Sequence, residues 1–287
     1  MLKYRLITAI ILIPLVIAAL FLLPPAIFGY VLIAISALAA WEWAQFAGWM
    51  TQGKRVGLAI IFAVGLLAMQ STFQDSTVLI DEPLIIYSLW AGLVWWIAAI
   101  LLVISYPASA VLWGKSTLIR LLFGVLTIVP FYAGMMALRT VGYHTDTTFG
   151  AWWLLYVMLL VWGADSGAYL FGRTLGRHKM APKVSPGKTL EGLVGGLITA
   201  GVISWLFSLY APIPMMPEYL LLTSAVVVVV SVFGDLTESM FKRQSGIKDS
   251  SHLIPGHGGI MDRIDSLTAA IPVFAGMNLL IFSGFGL

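Results

Sequence analysis

Long apolar stretches dominate the chain and predict membrane-spanning helices. A helix needs about 20 mainly apolar residues to cross a bilayer. Nine stretches approach this length, at residues 6–23, 26–47, 56–73, 84–104, 118–138, 149–171, 190–210, 218–238 and 264–284. The pattern therefore predicts an all-α, polytopic membrane bundle of about nine transmembrane helices, forming a single integral membrane domain over residues 1–287.

The two halves of the chain differ in their polar residues. Residues 1–148 contain few polar features, so we expect them to form mainly scaffold spans or the surface of a homodimer. Residues 149–287 carry most of the charged groups, so we expect the catalytic spans and their cytoplasmic loops there.

Composition supports the bilayer as the natural solvent of this chain. Hydrophobic residues make up 60% and charged residues 10% of the sequence, whereas a soluble domain carries about 25% charge. The absence of cysteine excludes disulfides and thiol catalysis. Basic residues are not interleaved with aromatic ones in any tract, so we expect no nucleic-acid partner.

The distribution of basic residues predicts the orientation, because short cytoplasmic loops are enriched in Lys and Arg. With the N-terminus in the cytoplasm, 15 of the 16 basic residues fall on the cytoplasmic side, and only Arg139 falls outside. An even number of spans would break this pattern. The C-terminus is therefore predicted to be periplasmic.

The charged residues concentrate in two segments. Among the 16 basic and 13 acidic residues, seven lie between Asp165 and Glu191 and nine between Asp235 and Asp265. The topology places Asp165 and Asp235 late in inward-running spans, and Asp262 and Asp265 at the start of the last span. We therefore expect these carboxylates to meet near the cytoplasmic surface.

Spacing within the second segment suggests metal binding. Asp262 and Asp265 share one helix face, and Asp235 and Glu238 repeat the same spacing. Mg²⁺ is often held by one or two carboxylates together with substrate phosphates. Helix capping and interfacial ion pairs are the alternative interpretation.

A glycine-rich stretch precedes Asp262. Residues 255–259 place three glycines around His257. Such a backbone can approach a ligand closely, and successive N–H groups at a helix start can bind an anion. We expect His257, Gly258 and Gly259 to contact phosphate, with a tight turn and an interfacial histidine as the alternative.

A basic segment runs from Arg173 to Lys188. Its last residues resemble part of a P-loop, but a P-loop needs a glycine five positions before Gly187, where Pro182 stands. A basic segment that opens a helix suits phosphate groups, so Ser185 and Lys188 are candidate substrate-binding residues. Attraction to anionic lipid headgroups is the alternative.

Two acids lie within apolar stretches. Small residues around Asp165 permit close helix packing, and an acid in a span is a functional candidate by default. Pairing with a basic residue is the alternative role for Asp165. Glu42, between Trp41 and Trp43, is expected to be a lone structural acid at the membrane interface.

Carboxylates, a basic loop and a glycine-rich stretch at headgroup depth predict phosphoryl or nucleotidyl transfer to a membrane lipid. A coupled transporter is one alternative, but it would place its acids near the midplane. An enzyme joining a CDP-activated lipid to an alcohol would show an Asp–Gly–Ala–Arg pattern, which is absent. A non-catalytic scaffold would leave the polar cluster unexplained.

The charged segments also resemble a known family. The residues Ser239-Met240-Phe241-Lys242-Arg243, Lys248-Asp249 and those from His257 to Asp265 resemble the signature of the phosphatidate cytidylyltransferase family, also called CDP-diacylglycerol synthases. The stretches 185–189 and 163–167 are similar to the bacterial enzymes. The resemblance covers most of the chain and is strongest from about Leu154 to Pro272.

This resemblance implies that CTP and phosphatidic acid react to give CDP-diacylglycerol and pyrophosphate in phospholipid biosynthesis. It implies an enzyme of the bacterial inner membrane that contacts membrane lipids and faces the cytoplasm. It also implies Mg²⁺ as cofactor and leaves open a second cation such as K⁺.

The resemblance further implies which residues form the site. The implied metal ligands are Asp235 and Asp262, supported by Asp265 and Asp165. The implied catalytic residues are Asp235, Asp262, Asp265 and Lys188. The implied substrate-binding residues are Ser185, Lys188, Lys242, Arg243, Lys248, His257, Gly258, Gly259 and Arg263.

Overall fold

A computed structural model describes residues 2–73, 82–211, 215–254 and 258–281, with only the backbone described for residues 2–9. Its helices are α1 Leu2–Leu22, α2 Pro25–Phe46, α3 Gln52–Ser71, α4 Pro83–Ile104, α5 Ala110–Trp113, α6 Thr117–Thr140, α7 Phe149–Leu175, α8 Leu190–Tyr210, α9 Pro217–Ser245 and α10 Met261–Ala275. A π-helical segment, Gly276–Ile281, continues α10.

Eight helices are long and apolar enough to cross a membrane within the part of the chain that the structure describes. They are α2, α3, α4, α6, α7, α8, α9 and α10 with its π-helical continuation. The predicted polytopic helical bundle is thereby confirmed. The remaining predicted span, at residues 6–23, coincides with α1, whose described apolar part is Ile10–Leu22. The total of nine spans stays a prediction.

Three helices form the centre of the bundle. In α6, α9 and α10, 67% of the apolar window is buried, against 28% in α3 and α8, which present more side chains to the surroundings. The helices α7 and α8 pack along small residues: a Cβ on Gly167 would lie 2.9 Å from the Gly195 carbonyl oxygen. This confirms the close packing expected around Asp165.

Several helices extend further than the hydrophobic pattern predicted. α7 reaches Leu175 and α9 reaches Ser245, about one and two turns beyond the predicted ends. Polar residues at headgroup depth can continue a helix because its hydrogen bonds are internal. α9 ends at Gly246, which adopts a left-handed conformation with φ of 70°.

A two-stranded antiparallel hairpin between α7 and α8 departs from the predicted all-α fold. Its strands are β1 Lys179–Ala181 and β2 Ser185–Thr189, with Lys179 opposite Thr189 and Ala181 opposite Ser185. Hydrophobic alternation could not reveal strands this short, and Pro and Gly are depleted in strands. Thr189 then caps α8 by accepting the Gly192 N–H at 3.1 Å.

An aromatic cluster fixes the charged end of α9. Phe241 packs edge-on against Trp43 of α2 and Trp113 of α5, each with ring centroids 5.0 Å apart. Trp43 also donates from Nε1 to the Arg120 carbonyl oxygen of α6 at 2.8 Å. The neighbouring residue, Lys242, is therefore held by a helix end that packs against three others.

Candidate active site at the charged end of the bundle

An ion pair joins the hairpin to α9. The Lys188 Nζ lies 2.8 Å from Asp235 Oδ2 and donates a hydrogen bond to the Val232 carbonyl oxygen at 3.2 Å. Asp235 also accepts from the Ser239 hydroxyl at 3.2 Å. The side chain of Asp235 keeps 34% of its surface exposed, so part of this carboxylate remains accessible to a ligand.

A cavity of about 430 Å³ opens beside this ion pair. Polar side chains at its wall include Asp165, Arg173, Ser185, Lys188 and Asp235. Apolar side chains at its wall include Ala168, Met180, Leu193 and Val232. The predicted residues of the basic segment thus meet Asp165 and Asp235 at one cavity, whose mixed lining suits an amphiphilic molecule.

A second polar centre is built around Lys242. Its ammonium group lies 2.6 Å from Glu238 Oε2 and 2.8 Å from Asp262 Oδ1. The side chains of Glu238 and Asp262 are only 1% and 8% exposed. Because burying unpaired carboxylates is costly, Lys242 is the counterion that permits both acids to stay here.

Asp262 is further held by the loop before α10. Its Oδ2 accepts hydrogen bonds from the N–H groups of Gly259 and Ser250, at 2.7 and 3.0 Å, and from the Ser250 hydroxyl at 2.9 Å. Gly258 has φ of 82°, and a Cβ there would lie 2.6 Å from Asp262 Oδ2. The glycines therefore allow the loop to wrap around the carboxylate.

This geometry gives the glycine-rich stretch a structural role. The Gly259 N–H donates to Asp262 Oδ2 in this structure, and contact of Gly258 and Gly259 with phosphate stays a prediction. Gly258, with its left-handed backbone conformation, also allows the loop to bend around the Asp262 carboxylate. His257, with Pro255 and Gly256, lies outside the described residues.

Asp265 lies in electrostatic range of both polar centres. It interacts with Asp235, Lys188 and Lys242, while its Oδ1 accepts the N–H of the adjacent Ser266 at 2.7 Å. Gly234 permits this approach, because a Cβ there would lie 2.7 Å from the Asp265 carbonyl oxygen. The four acids predicted as metal ligands therefore belong to one charged region.

The remaining predicted basic residues lie at the same end of the bundle. Arg243 donates from Nε to the Val184 carbonyl oxygen at 3.2 Å and so makes a second attachment between α9 and the hairpin. Lys248 and Arg263 are exposed. These cations extend the positive surface around the two polar centres.

The described acids do not enclose a metal ion by themselves. Across residues 2–73, 82–211, 215–254 and 258–281, no three His, Asp or Glu residues converge to hold a metal ion by themselves. Glu238 Oε1 is buried without a hydrogen-bond partner among the described residues. The partly exposed Asp235 carboxylate, by contrast, is a hard oxygen donor of the kind that Mg²⁺ prefers, and substrate phosphates often complete the coordination of such an ion.

Comparison with known proteins identifies the family of this chain. The profile of the cytidylyltransferase family matches residues 3–281. The chain belongs to the cytidylyltransferase family. This confirms the resemblance drawn from the charged segments.

Two relatives in the family are similar over nearly their whole length, and a third over about two thirds of it. A phosphatidate cytidylyltransferase of Haemophilus influenzae is 46% identical over 282 residues, covering 96% of this chain and 98% of the relative. One of Pseudomonas aeruginosa is 45% identical over 287 residues, covering 100% and 99%. One of Bacillus subtilis is 37% identical over 185 residues, covering 64% and 67%.

Three residues at the site of this cytidylyltransferase family member were not among the predicted site residues. In the sequence, Glu238 is distinguished only by its spacing from Asp235, and Ser250 carries no signal. Glu42 was interpreted as a lone interfacial acid, which is wrong: it is fully buried and bound by the loop before α10. The rule that singled out Asp165, an acid in an apolar span, could have found Glu42 too.

Proposed function

We propose that this chain is a CTP:phosphatidate cytidylyltransferase that forms CDP-diacylglycerol and pyrophosphate for phospholipid biosynthesis. The observation that carries the proposal is the Lys188–Asp235 ion pair at the wall of a cavity with apolar sides. It stands in a chain whose full-length relatives bear the name phosphatidate cytidylyltransferase.

The cavity suits a lipid phosphate that remains in the bilayer. Its charged wall would bind the headgroup of phosphatidic acid, while Met180, Leu193 and Val232 would contact the glycerol and the first acyl carbons. CTP would reach the charged end from the cytoplasm of a bacterium, across its inner membrane surface. This orientation is supported by the positive-inside distribution of Lys and Arg.

The proposed reaction is an in-line displacement at phosphorus. An oxygen of the phosphatidate phosphate forms a bond with the α-phosphorus of CTP, and the bond from that phosphorus to the bridging oxygen of pyrophosphate breaks. Pyrophosphate leaves with the electron pair. A phosphate monoester has a second pKa of about 6, so it is largely dianionic near neutral pH and needs no strong protein base.

The residues of the two polar centres would position and neutralise the phosphates. Lys188 lies at the cavity wall, and Lys242 and Arg243 lie about one turn beyond Glu238 and about two turns beyond Asp235 on α9. Fixed cations that face developing charge stabilise such transition states without reorganisation. Ser185, Lys248 and Arg263 would add contacts to the triphosphate or the headgroup.

Mg²⁺ is the proposed cofactor, held by Asp235 and Asp262 with Asp265 and Asp165 in support, and K⁺ is a candidate second cation. When bound, Mg²⁺ would neutralise phosphate oxygens and favour departure of pyrophosphate. The homodimer expected from the first half of the chain stays a prediction.

Purified protein in detergent with labelled CTP, Mg²⁺ and phosphatidic acid tests the proposal. The expected result is label in the organic phase, in a product that requires phosphatidic acid and is not formed from diacylglycerol. Replacing CTP by dCTP or ATP measures base selection. Label that stays in the aqueous phase would reject the proposal, and vesicle uptake without CTP consumption would favour a transporter.

A further inference from the structure

Glu42 is a buried carboxylate of α2 that reaches the loop before α10. Its Oε1 accepts from the Ser251 hydroxyl at 2.5 Å and from the Ile260 N–H at 2.9 Å. Its Oε2 accepts from the Met261 N–H at 2.6 Å and from the Ser250 hydroxyl at 2.9 Å. Four donors from one loop thus satisfy a fully buried acid that lies more than 200 positions earlier in the chain.

These hydrogen bonds connect Glu42 to Asp262 in two ways, through the Ser250 side chain and through the backbone of residues 259–261. The Ser250 hydroxyl lies 2.9 Å from Glu42 Oε2 and 2.9 Å from Asp262 Oδ2. The consecutive N–H groups then divide between the two acids, since that of Gly259 points to Asp262 and those of Ile260 and Met261 point to Glu42.

The backbone at Gly259 leaves no room for a side chain. A Cβ on Gly259 would lie 2.0 Å from the Ser250 Oγ and 2.4 Å from Glu42 Oε1. Gln45, one turn after Glu42, donates from Nε2 to the Ser250 carbonyl oxygen at 2.6 Å. We call this set of contacts, between α2 and residues 250–251 and 259–261, the α2 clasp.

A carboxylate suits this place for two electrostatic reasons. Ile260 and Met261 stand at the start of α10, where N–H groups lack partners within the helix and the helix dipole favours negative charge. α10 has no side-chain cap of its own from Ile260. Glu42 therefore supplies, from another helix, the acceptor that the start of α10 needs.

We propose that Glu42 is a positioning residue for the nucleotidyl-transfer site: by holding residues 250–251 and 259–261, it orients Asp262 toward Lys242, the cation proposed to bind the substrate phosphates. The inference rests on the proposed function for its effect on turnover. Its effect on the loop itself does not depend on that function.

The test is the Glu42→Gln variant, compared with wild type and with Glu218→Gln, an exposed acid at the start of α9. An amide keeps the size of the side chain but turns one acceptor into a donor, which then faces the donors of the loop. We expect the kcat per folded protein to fall about 10- to 100-fold, as for other residues that orient a metal or phosphate ligand. The Glu218→Gln variant should keep wild-type kcat.

Hydrogen–deuterium exchange separates positioning from general destabilisation. In Glu42→Gln, peptides containing residues 258–261 should exchange faster, while those from α4 and α6 keep their wild-type rates. Unchanged exchange at 258–261, or a kcat within twofold of wild type, would overturn the proposal. Faster exchange throughout the bundle, with wild-type kcat for the folded fraction, would also overturn it.

Ser250→Ala provides a second variant in case Glu42→Gln does not fold. It removes the shared hydroxyl but keeps the Ser250 N–H bond to Asp262 and the Gln45 contact. We expect a kcat loss of at least tenfold, smaller than that of Glu42→Gln because Glu42 keeps its bonds from Ser251, Ile260 and Met261. The loss in the double variant should be smaller than the product of the two single losses, because the two residues share one hydrogen bond. Wild-type turnover in Ser250→Ala would contradict the proposal.

If wild type itself shows no cytidylyl transfer, the proposed function fails. The exchange rates at 258–261 then still decide whether Glu42 holds the loop.

Discussion

Lys188 of the hairpin and Asp235 of α9 form an ion pair of 2.8 Å at the wall of the cavity. They are separated by the whole of α8 and most of α9 in sequence. Because the Asp235 side chain remains one-third exposed, the pair can open toward a ligand phosphate without uncovering a fully buried charge. The ion pair is therefore suited to exchange partners when substrate binds.

Replacing Lys188 by methionine should reduce turnover strongly. The variant loses the cation at the cavity wall, and removal of one fixed donor to a developing charge costs about 100- to 1,000-fold in kcat. Initial rates of lipid-soluble product formation would measure the loss. Lys183→Met, on the same hairpin but exposed, is the matched control and should stay near wild type.

Replacing Lys242 by methionine should destabilise the protein. Glu238 and Asp262 would then face each other as buried acids without their counterion, and breaking a buried ion pair costs about 3–5 kcal/mol. Thermal unfolding in detergent, followed by tryptophan fluorescence, would measure the change.

A double variant separates stability from activity at Lys242. Adding Glu238→Gln to Lys242→Met removes one of the two orphaned charges and should restore part of the lost stability. Turnover should not return, because the phosphates still lack the cation. Recovery of full activity in the double variant would exclude Lys242 from the site.

Gly259→Ala should destabilise the loop before α10. The added methyl group would overlap Ser250 and Glu42, and such overpacking costs about 1–3 kcal/mol. A lower unfolding temperature together with reduced turnover is the expected result. Gly57→Ala on α3 is the control, since a Cβ there meets nothing within 4 Å. It should keep or slightly raise the unfolding temperature, because alanine favours a helix more than glycine does.

Chelation should abolish turnover, and Mg²⁺ should restore it. The reason is that the described acids do not form a complete metal cage, so bound Mg²⁺ would exchange with the solvent once substrate leaves. Rates measured over a Mg²⁺ titration after EDTA treatment would show this.

Asp262→Asn extends the chelation experiment. The variant should remain folded in the membrane fraction and should not recover at any Mg²⁺ concentration. Near-normal turnover of Asp262→Asn would remove Asp262 from the metal site.

The helical bundle could be predicted from the sequence because the bilayer imposes a simple rule on apolar length. Each predicted stretch from 26–47 to 264–284 overlaps a long helix, from α2 to the continuation of α10. The ends of α7 and α9 were placed too early, because hydropathy falls at charged residues although the backbone remains helical there. The hairpin was missed because its strands span three and five residues.

The candidate site was predicted as a set of residues but not as a geometry. Charge clustering singled out Asp235, Asp262 and Lys188, and the structure brings these into one charged region. Charge clustering could not indicate which lysine pairs with which acid, because those contacts join elements far apart in sequence. The role of Ser250 depends entirely on such a contact, so no local pattern could have revealed it.

The α2 clasp has a consequence for how the chain can be divided. A fragment beginning at α7 would keep every charged residue proposed to act in the reaction, yet it would lose the acceptor for the Ile260 and Met261 N–H groups. Activity from two separately expressed halves would therefore depend on their reassembly in the bilayer. The first half of the protein therefore supplies a contact that the second half needs to form its site.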